Sequence, residues 1–166
     1  MTGHESRLHA EVMTQCKIIP HVVDGRQVLC RMTREATALE AAQTMRERRV
    51  GAVMVVEGGR LVGIATERDI VFRLVAAGGD PAKVRLGEIM TADPETLGPD
   101  DSAIDALDKM RAGRYRHLPV LDGGEIVGMV SIRDLYEAVR AVLEEELQSA
   151  ETLIYGEQYG AVAAIG

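Results

Sequence analysis

The chain has 166 residues and a formal net charge of −7, with one phenylalanine, four tyrosines and no tryptophan. Stacking on single-stranded nucleic acid needs several exposed aromatic rings, and proteins that neutralise many phosphates are usually basic, so this composition argues against a nucleic-acid partner. The sequence holds no run of 18 apolar residues, and its first 17 residues lack the apolar core of a secretory signal, so we expect a cytoplasmic protein without a membrane span.

The N-terminal residues carry few features that predict chemistry, and we interpret residues 1–20 as a tail. Cys16 and Cys30 are spaced neither as a CxxC pair nor as metal ligands, and we expect two free thiols, buried or half-buried. His4, His9 and His21 also lack ligand spacing, so no metal site is predicted.

An internal repeat organises the rest of the chain. Residues 35–70 align with residues 100–135 without a gap, and turn glycines and charged residues coincide along with the apolar runs. The identical pairs include Ala41/Ala106, Met45/Met110, Arg49/Arg114, Gly63/Gly128, Arg68/Arg133 and Asp69/Asp134.

Each copy is predicted to begin with a short strand and a helix. The strands are expected near residues 28–32 and 95–97. Thr37 and Ser102 are suitable helix caps, and apolar residues recur after each of them at helical spacing. The pattern therefore predicts an amphipathic helix at the same place in both copies.

A β-hairpin and a second helix follow in each copy. Two apolar runs, too short for helices, flank the glycine pairs 58–59 and 123–124, which is typical of a tight hairpin turn. Thr66 and Ser131 then cap a second helix. The repeated unit is therefore helix, hairpin, helix, with an additional strand before it.

The domain organisation follows from this unit. We assign residues 21–80 to the first repeat, 81–142 to the second, and 143–166 to a C-terminal helix and tail. A unit of about 60 residues buries too little apolar surface to be stable alone, so the two repeats are expected to pack together. The apolar positions of the last helix predict a contact face for a second copy in a homodimer; they are Val139, Val142, Leu143, Leu147 and Ile154.

A seven-residue motif closes each hairpin. The first copy reads Gly-Ile-Ala-Thr-Glu-Arg-Asp at residues 63–69, and the second reads Gly-Met-Val-Ser-Ile-Arg-Asp at 128–134. Together with residues 116–124, these motifs resemble tandem cystathionine-β-synthase (CBS) domains over about residues 20–142. The resemblance implies an α/β fold of two pseudo-symmetric repeats, with sheets packed together and two ligand clefts.

The resemblance also implies an adenosyl ligand, most readily AMP, with ADP, ATP, NAD or S-adenosylmethionine as the other members of the class. Asp69 and Asp134 would then accept hydrogen bonds from the ribose hydroxyls, at the positive end of a helix dipole. Adenine would pack near residues 29–32 and 94–97. The remaining site residues would contact the hydroxyls or phosphates of the ligand: Thr66, Arg68, Arg116, His117, Ser131 and Arg133.

Structural interpretations of the same residues stay open at this point. Either aspartate can serve as a residue that opposes the helix dipole, Arg116 can form a surface ion pair, and His117 can be a strand residue with a satisfied ring. Because Arg116 aligns with Gly51, we also expect the two clefts to differ in their preference for phosphate.

The predicted function is that of a regulatory module, not an enzyme. The sequence lacks an ordered Ser-His-Asp set with a nucleophile elbow, an HExxH motif and a P-loop. A nucleotide sensor acting on a separate, unknown partner protein is the first hypothesis. The alternatives are a ligand-independent dimerisation or protein-interaction module and, third, an enzyme acting on a nucleotide.

Overall fold

The computed structural model describes residues 11, 13–24 and 26–160, with side chains through residue 149. Nowhere in this part of the chain does a helix combine the length and the hydrophobicity needed to cross a membrane. Two helix–hairpin–helix repeats make up the fold, which confirms the predicted α/β class.

The secondary structure follows the repeat. The first part of the chain forms a π-helical turn (Ile18–Val22), β1 (Arg31–Met32), α1 (Ala38–Arg48), β2 (Ala52–Glu57), β3 (Arg60–Thr66) and α2 (Glu67–Asp69), which continues as the π-helical segment Ile70–Val75. The second part forms α3 (Leu86–Ile89), β4 (Thr91–Ala92), α4 (Ala103–Gly113), β5 (His117–Asp122), β6 (Glu125–Ser131) and α5 (Ile132–Gly160).

Helices α1 and α4 begin with the same capping box. The Glu40 carboxylate accepts a hydrogen bond from the Thr37 N–H at 2.7 Å, and Asp105 accepts one from the Ser102 N–H at 2.8 Å. The N–H and hydroxyl of Thr37 lower the pKa of Glu40, and the hydroxyl and N–H of Ser102 lower that of Asp105. The predicted starts of both helices are thus confirmed, since each cap satisfies backbone groups that a helix end leaves unpaired.

The sheets are built on the two predicted hairpins. Strands β2 and β3 pair antiparallel across Gly58 and Gly59, whose φ angles of 56° and 80° lie in the left-handed region that favours glycine. The four-stranded sheet has the order β1-β2-β3-β4, with β1 parallel to β2. Strands β5 and β6 repeat the hairpin, and Leu97 forms a parallel bridge to Val120 of β5.

The first repeat is completed by residues 84–92, which the sequence pattern assigns to the start of the second repeat and which precede α4. The Val84 carbonyl accepts from the Ala38 N–H at 2.9 Å, and the Leu86 N–H donates to the Ala36 carbonyl at 2.8 Å. Strand β4 then adds to the edge of β3. We call residues 84–92 the second exchanged segment.

The second repeat is completed in the same way by residues 16–23, the first exchanged segment. The Ala103 N–H donates to the Cys16 carbonyl, and the Ile18 N–H donates to the Asp101 carbonyl, both at 2.8 Å. Ala103 and Asp101 hold the positions of Ala38 and Ala36 in the second repeat. Cys16 and Ile18 therefore make the same bonds to the second repeat as Val84 and Leu86 make to the first. Each repeat therefore depends on a segment that lies before the other repeat.

The exchanged segments fill the centres of two separate cores. Ile18 is fully buried in the core of the second repeat, and Leu86 is fully buried in that of the first. The repeats meet where β3 contacts β6. This position of Ile18 corrects the prediction of a tail over residues 1–20, part of which belongs to a core.

Two other expectations differ from the structure. The extra strands are shorter than predicted, since β1 covers Arg31–Met32 and its counterpart is the bridge at Leu97. Val139 and Val142, assigned to a dimer face, pack against the core of their own repeat because α5 covers that core. Leu147 is 63% exposed, and the side chain of Ile154 lies outside the described residues.

Candidate functional site

Two cavities open between the repeats and share one wall. The Asp134 cleft has a volume of about 540 Å³ and the Asp69 cleft about 410 Å³, within the usual range of small-molecule sites. Gly51, Glu67, Arg116 and His117 line both of them.

The carboxylate of Asp134 lies at one side of the Asp134 cleft. Its Oδ2 accepts a hydrogen bond from the Ser131 N–H at 2.7 Å, and the Ser131 hydroxyl accepts one from the Asp134 N–H at 3.2 Å. Its Oδ1 has no hydrogen-bond or ion-pair partner in the part of the chain that the structure describes. The helix end is therefore capped while one carboxylate oxygen stays available.

Residues 27–30 form another part of the lining of the Asp134 cleft. The Gln27 side chain donates to the Met129 carbonyl and accepts from the Met129 N–H, both at 2.8 Å, which fixes this part of the lining against β6. Leu29 and Cys30 belong to the predicted adenine wall, whereas Gln27 and Val28 extend it towards the N-terminus. Cys30 is half-buried and Cys16 is buried, and both are free thiols, as expected.

The carboxylate of Asp69 is held by more bonds than that of Asp134. Its Oδ2 accepts from the Thr66 N–H at 2.9 Å and from the Thr66 hydroxyl at 2.7 Å. Its Oδ1 lies 3.3 Å from the Nε of Arg73. Pro94 and Glu95 of the predicted adenine wall line this cleft, together with Thr91.

The shared wall is crowded around Gly51. A Cβ atom there would come within 3.2 Å of the Glu67 carboxylate and of the His117 ring, so a larger residue would displace one of them. The Glu67 N–H donates to the Gly51 carbonyl, and the Ile132 N–H donates to the Arg116 carbonyl, both at 3.0 Å. This pair of bonds expresses the pseudo-symmetry of the two clefts.

Burial lowers the pKa of His117, and the nearby positive charge of Arg116 adds to this effect. The negative charges of Glu67 and Asp134 act in the opposite direction. A neutral imidazole at the shared wall can donate one hydrogen bond and accept another.

The three arginines predicted to contact phosphate differ from one another in their surroundings. Arg116 is exposed, lines both clefts and makes no side-chain hydrogen bond or ion pair within the described residues. Arg68 donates to the Arg114 carbonyl at 3.1 Å, and Arg133 pairs with Glu137 at 2.9 Å. Arg116 and Gly51 each line both clefts. The predicted difference between the clefts in their preference for phosphate therefore does not follow from these two positions.

Several lining residues were missed by the sequence interpretation. Arg49 and Arg114 end α1 and α4 in the left-handed conformation, with φ angles of 55° and 56°, and each lines one cleft. Their identity in the repeat alignment was a usable signal. Tyr115 donates to Glu95 in the Asp69 cleft, and burial together with that carboxylate raises its pKa to about 12.

The arrangement suits a ligand with a polar diol, a flat apolar body and an anionic end. Each cleft is lined by an aspartate, by apolar residues and by arginines. No group of three or more His, Cys, Asp or Glu side chains that could hold a metal ion is found among the described residues. The side chains that line the two clefts offer hydrogen-bonding groups and charges of both signs.

Known proteins share both the sequence and the fold. The CBS domain model matches the chain twice, at residues 32–76 and 86–141. The mitochondrial CBS domain-containing protein CBSX3 of Arabidopsis thaliana is 34% identical over 160 residues, an alignment that covers 93% of this chain and 75% of CBSX3. CBSCBSPB2 of the same plant is 38% identical over 105 residues, which cover 62% of this chain but 20% of that protein.

A solved structure extends the comparison to three dimensions. The CBS domain protein PAE2072 from Pyrobaculum aerophilum, complexed with AMP, superimposes with a TM-score of 0.63 and 33% identity, covering 72% of this chain and 92% of that chain. The two segments that the CBS domain model matches contain both aspartate motifs and both hairpins described above. The chain therefore belongs to the CBS domain family and carries a pair of its repeats.

Proposed function

We propose that this CBS pair is a regulatory sensor that binds an adenine nucleotide, AMP first, and acts on a separate partner protein. CBS pairs are regulatory modules, and the related PAE2072 is complexed with AMP. The observation that carries the proposal for this chain is the Asp134 cleft, where one carboxylate oxygen and the Arg116 guanidinium line one cavity and have no partner among the described residues.

Ribose recognition would depend on the free Oδ1 of Asp134. A ribose presents two adjacent hydroxyl donors, and a carboxylate oxygen accepts such hydrogen bonds about twice as strongly as a neutral acceptor. Adenine would lie along the wall of residues 27–30, where Leu29 and Cys30 supply apolar contact.

Phosphate recognition would fall to the arginines that are not already paired. Arg49 and Arg116 line the Asp134 cleft without side-chain partners in the described residues. Glu67 lies at the shared wall and would repel additional phosphate charge. The two arginines can meet one phosphate group, whereas Glu67 disfavours further negative charge, and this supports AMP over ADP and ATP. NAD and S-adenosylmethionine are useful comparisons because they carry the adenosine group with different charges.

A thermal-shift panel tests the proposal. A ligand at 100 times its dissociation constant adds about 2.7 kcal/mol to the free energy of unfolding, a clear rise in melting temperature for a chain of this size. AMP, ADP, ATP, NAD, S-adenosylmethionine and adenosine form the panel, with GMP and CMP as controls. A rise with adenine ligands alone supports the sensor, whereas no rise with any of them contradicts it.

A ligand-independent interaction module is the second candidate. The observation in its favour is the apolar surface of the first repeat, where Val71, Phe72 and Val75 are largely exposed, Phe72 by 64%. Isolated apolar residues are common on surfaces, but a contiguous group of them is typical of an interface. If no ligand of the panel raises the melting temperature and the protein forms a stable oligomer, this candidate is favoured.

The enzyme hypothesis has its own test. Product analysis after long incubation with ATP or NAD would detect turnover of either nucleotide.

The apolar surface of the first repeat also supports the homodimer. Met45, Ile70 and Val71 line a groove of about 530 Å³ between α1 and the π-helical segment Ile70–Val75, next to the exposed Phe72. A two-fold axis through this face would bury the groove in both copies. Light scattering should return about twice the 18.0 kDa of one chain, and Phe72→Asp should shift the mass towards that of the monomer. A monomeric wild-type protein at micromolar concentration contradicts the homodimer.

A further inference from the structure

The two clefts differ at the carboxylate that would meet the ribose. In the Asp69 cleft, Oδ2 is held by Thr66 and Oδ1 forms an ion pair with Arg73 at 3.3 Å. In the Asp134 cleft the position equivalent to Arg73 is Ala138, whose methyl side chain packs against the core of the second repeat. Asp134 thus lacks the cation that occupies the second oxygen of Asp69.

Arg73 is fixed in place by more than this ion pair. Its Nη1 donates to the carbonyls of Ile89 and Met90 at 2.9 and 2.8 Å, and its Nη2 lies 3.4 Å from the Thr91 hydroxyl. These partners belong to the second exchanged segment, and Thr91 also lines the Asp69 cleft. A guanidinium bonded on both sides cannot swing aside without leaving two backbone carbonyls unpaired.

The surroundings of the pair strengthen its effect. The Asp69 side chain is 12% exposed, so solvent screens its attraction to Arg73 only in part. A ribose that enters this cleft must share Asp69 with an existing cation, whereas the ribose in the Asp134 cleft meets a free oxygen.

We propose that Arg73 is a specificity-determining residue that occupies the ribose position of the Asp69 cleft. It restricts tight AMP binding to the Asp134 cleft, so that one AMP binds per chain. This inference rests on the proposed nucleotide-binding function and adds the stoichiometry and the residue that sets it. The loss of one charge-assisted hydrogen bond should weaken AMP at the Asp69 cleft by about tenfold or more.

An argument from phosphate charge alone predicts the opposite effect of removing Arg73 on AMP affinity at the Asp69 cleft. Loss of a positive charge from a cleft that holds a phosphate should weaken AMP binding, whereas release of Asp69 should strengthen it. Adenosine separates the two effects because it carries the ribose without the phosphate.

Calorimetry on four proteins tests the proposal: wild type, Arg73→Ala, Asp134→Ala and the double variant. Wild type should bind one AMP tightly, and Arg73→Ala should reveal a second AMP. In the Asp134→Ala background, Arg73→Ala should raise the affinity for both AMP and adenosine by about tenfold. Arg140→Ala is the matched control, because it removes an arginine paired with Glu144 on α5, outside both clefts.

A second variant covers the case in which Arg73→Ala does not fold. Arg73→Gln removes the charge and keeps an amide donor for the Ile89 and Met90 carbonyls, and it should raise affinity in the same direction. Two equal AMP sites in wild type, or an unchanged or lower affinity after Arg73 is replaced, would overturn the inference while AMP binding itself stands. Absence of AMP and adenosine binding from every protein would overturn the proposed function and the inference together.

Discussion

Gly128 lies directly against Val23, so that a Cβ atom at Gly128 would come within 2.9 Å of a Val23 side-chain carbon. Val23 belongs to the first exchanged segment and is buried in the core of the second repeat. In the first repeat Gly63 lies in the same way against Met90 of the second exchanged segment. Each hairpin therefore carries a glycine where an exchanged segment crosses it.

Gly128→Ala should lower the free energy of unfolding by about 1–3 kcal/mol, because an added methyl in a packed core forces its neighbours to move. Gly63→Ala should cost a similar amount, since its Cβ would meet the Met90 side chain and come within 3.2 Å of the Thr91 carbonyl oxygen, a backbone atom that cannot turn aside. Urea unfolding measures both changes. Gly98→Ala is the control, because its Cβ would have nothing nearer than 3.8 Å. Equal effects of Gly128→Ala and Gly98→Ala would show that the segment yields freely.

Asp134→Ala should weaken AMP binding by about 1.5–3 kcal/mol, or roughly 10- to 150-fold, with the fold retained. The reason is that the ribose hydroxyls lose a charged acceptor while the substitution buries no new charge. Isothermal titration calorimetry measures the change, and Asp69→Ala is the matched change in the other cleft. If neither substitution alters the binding of any adenosine ligand, both carboxylates act as helix-end residues.

Arg116→Ala should weaken AMP much more than adenosine, because the guanidinium can meet a phosphate with two parallel donors. Its side chain has no competing partner in the described residues, so no ion pair is lost with it. Raising the salt concentration should reproduce part of the loss for AMP and little of it for adenosine. An equal loss for both ligands would assign Arg116 to the cavity wall.

His117 should make the fold less stable in mild acid. Its pKa in the folded protein is lowered by burial and by Arg116, so below about pH 6.5 the unfolded chain binds a proton more readily than the folded one. The stability is therefore fully present above about pH 6.5 and falls as the pH drops through the lowered value. Urea unfolding between pH 8 and pH 5.5 should show a shallower pH dependence for His117→Gln than for wild type. Identical profiles would show that His117 does not titrate differently on folding.

The repeat made much of the architecture predictable. Two copies of the same pattern identified the hairpin glycines, the caps at Thr37 and Ser102, and the paired aspartates. These features are local, and each depends on a few neighbouring residues whose spacing is visible in the sequence.

The sequence did not reveal contacts between distant segments. Ile18 and Leu86 have equivalent places in the two cores, but their segments lie out of step with the gapless repeat alignment. Arg73 was missed for a related reason, since its partners Ile89 and Met90 receive its bonds through backbone carbonyls, which leave no side-chain signature.

The exchange of segments determines the order in which the two cores can be completed while the chain is being synthesised. The segment that completes the first repeat follows it directly in the chain, so its contacts with that repeat can form while the second hairpin is still being made. Residues 16–23 emerge before the first repeat, yet their partners are made much later, since the Lys17 side chain donates to the Asp100 carbonyl 83 residues further on. Closing so long a loop is slow compared with forming a helix or hairpin. Ile18 and Val23 thus leave the ribosome early with their apolar surface uncovered, and this interval is where a chaperone or an aggregation-prone encounter would act on the nascent protein.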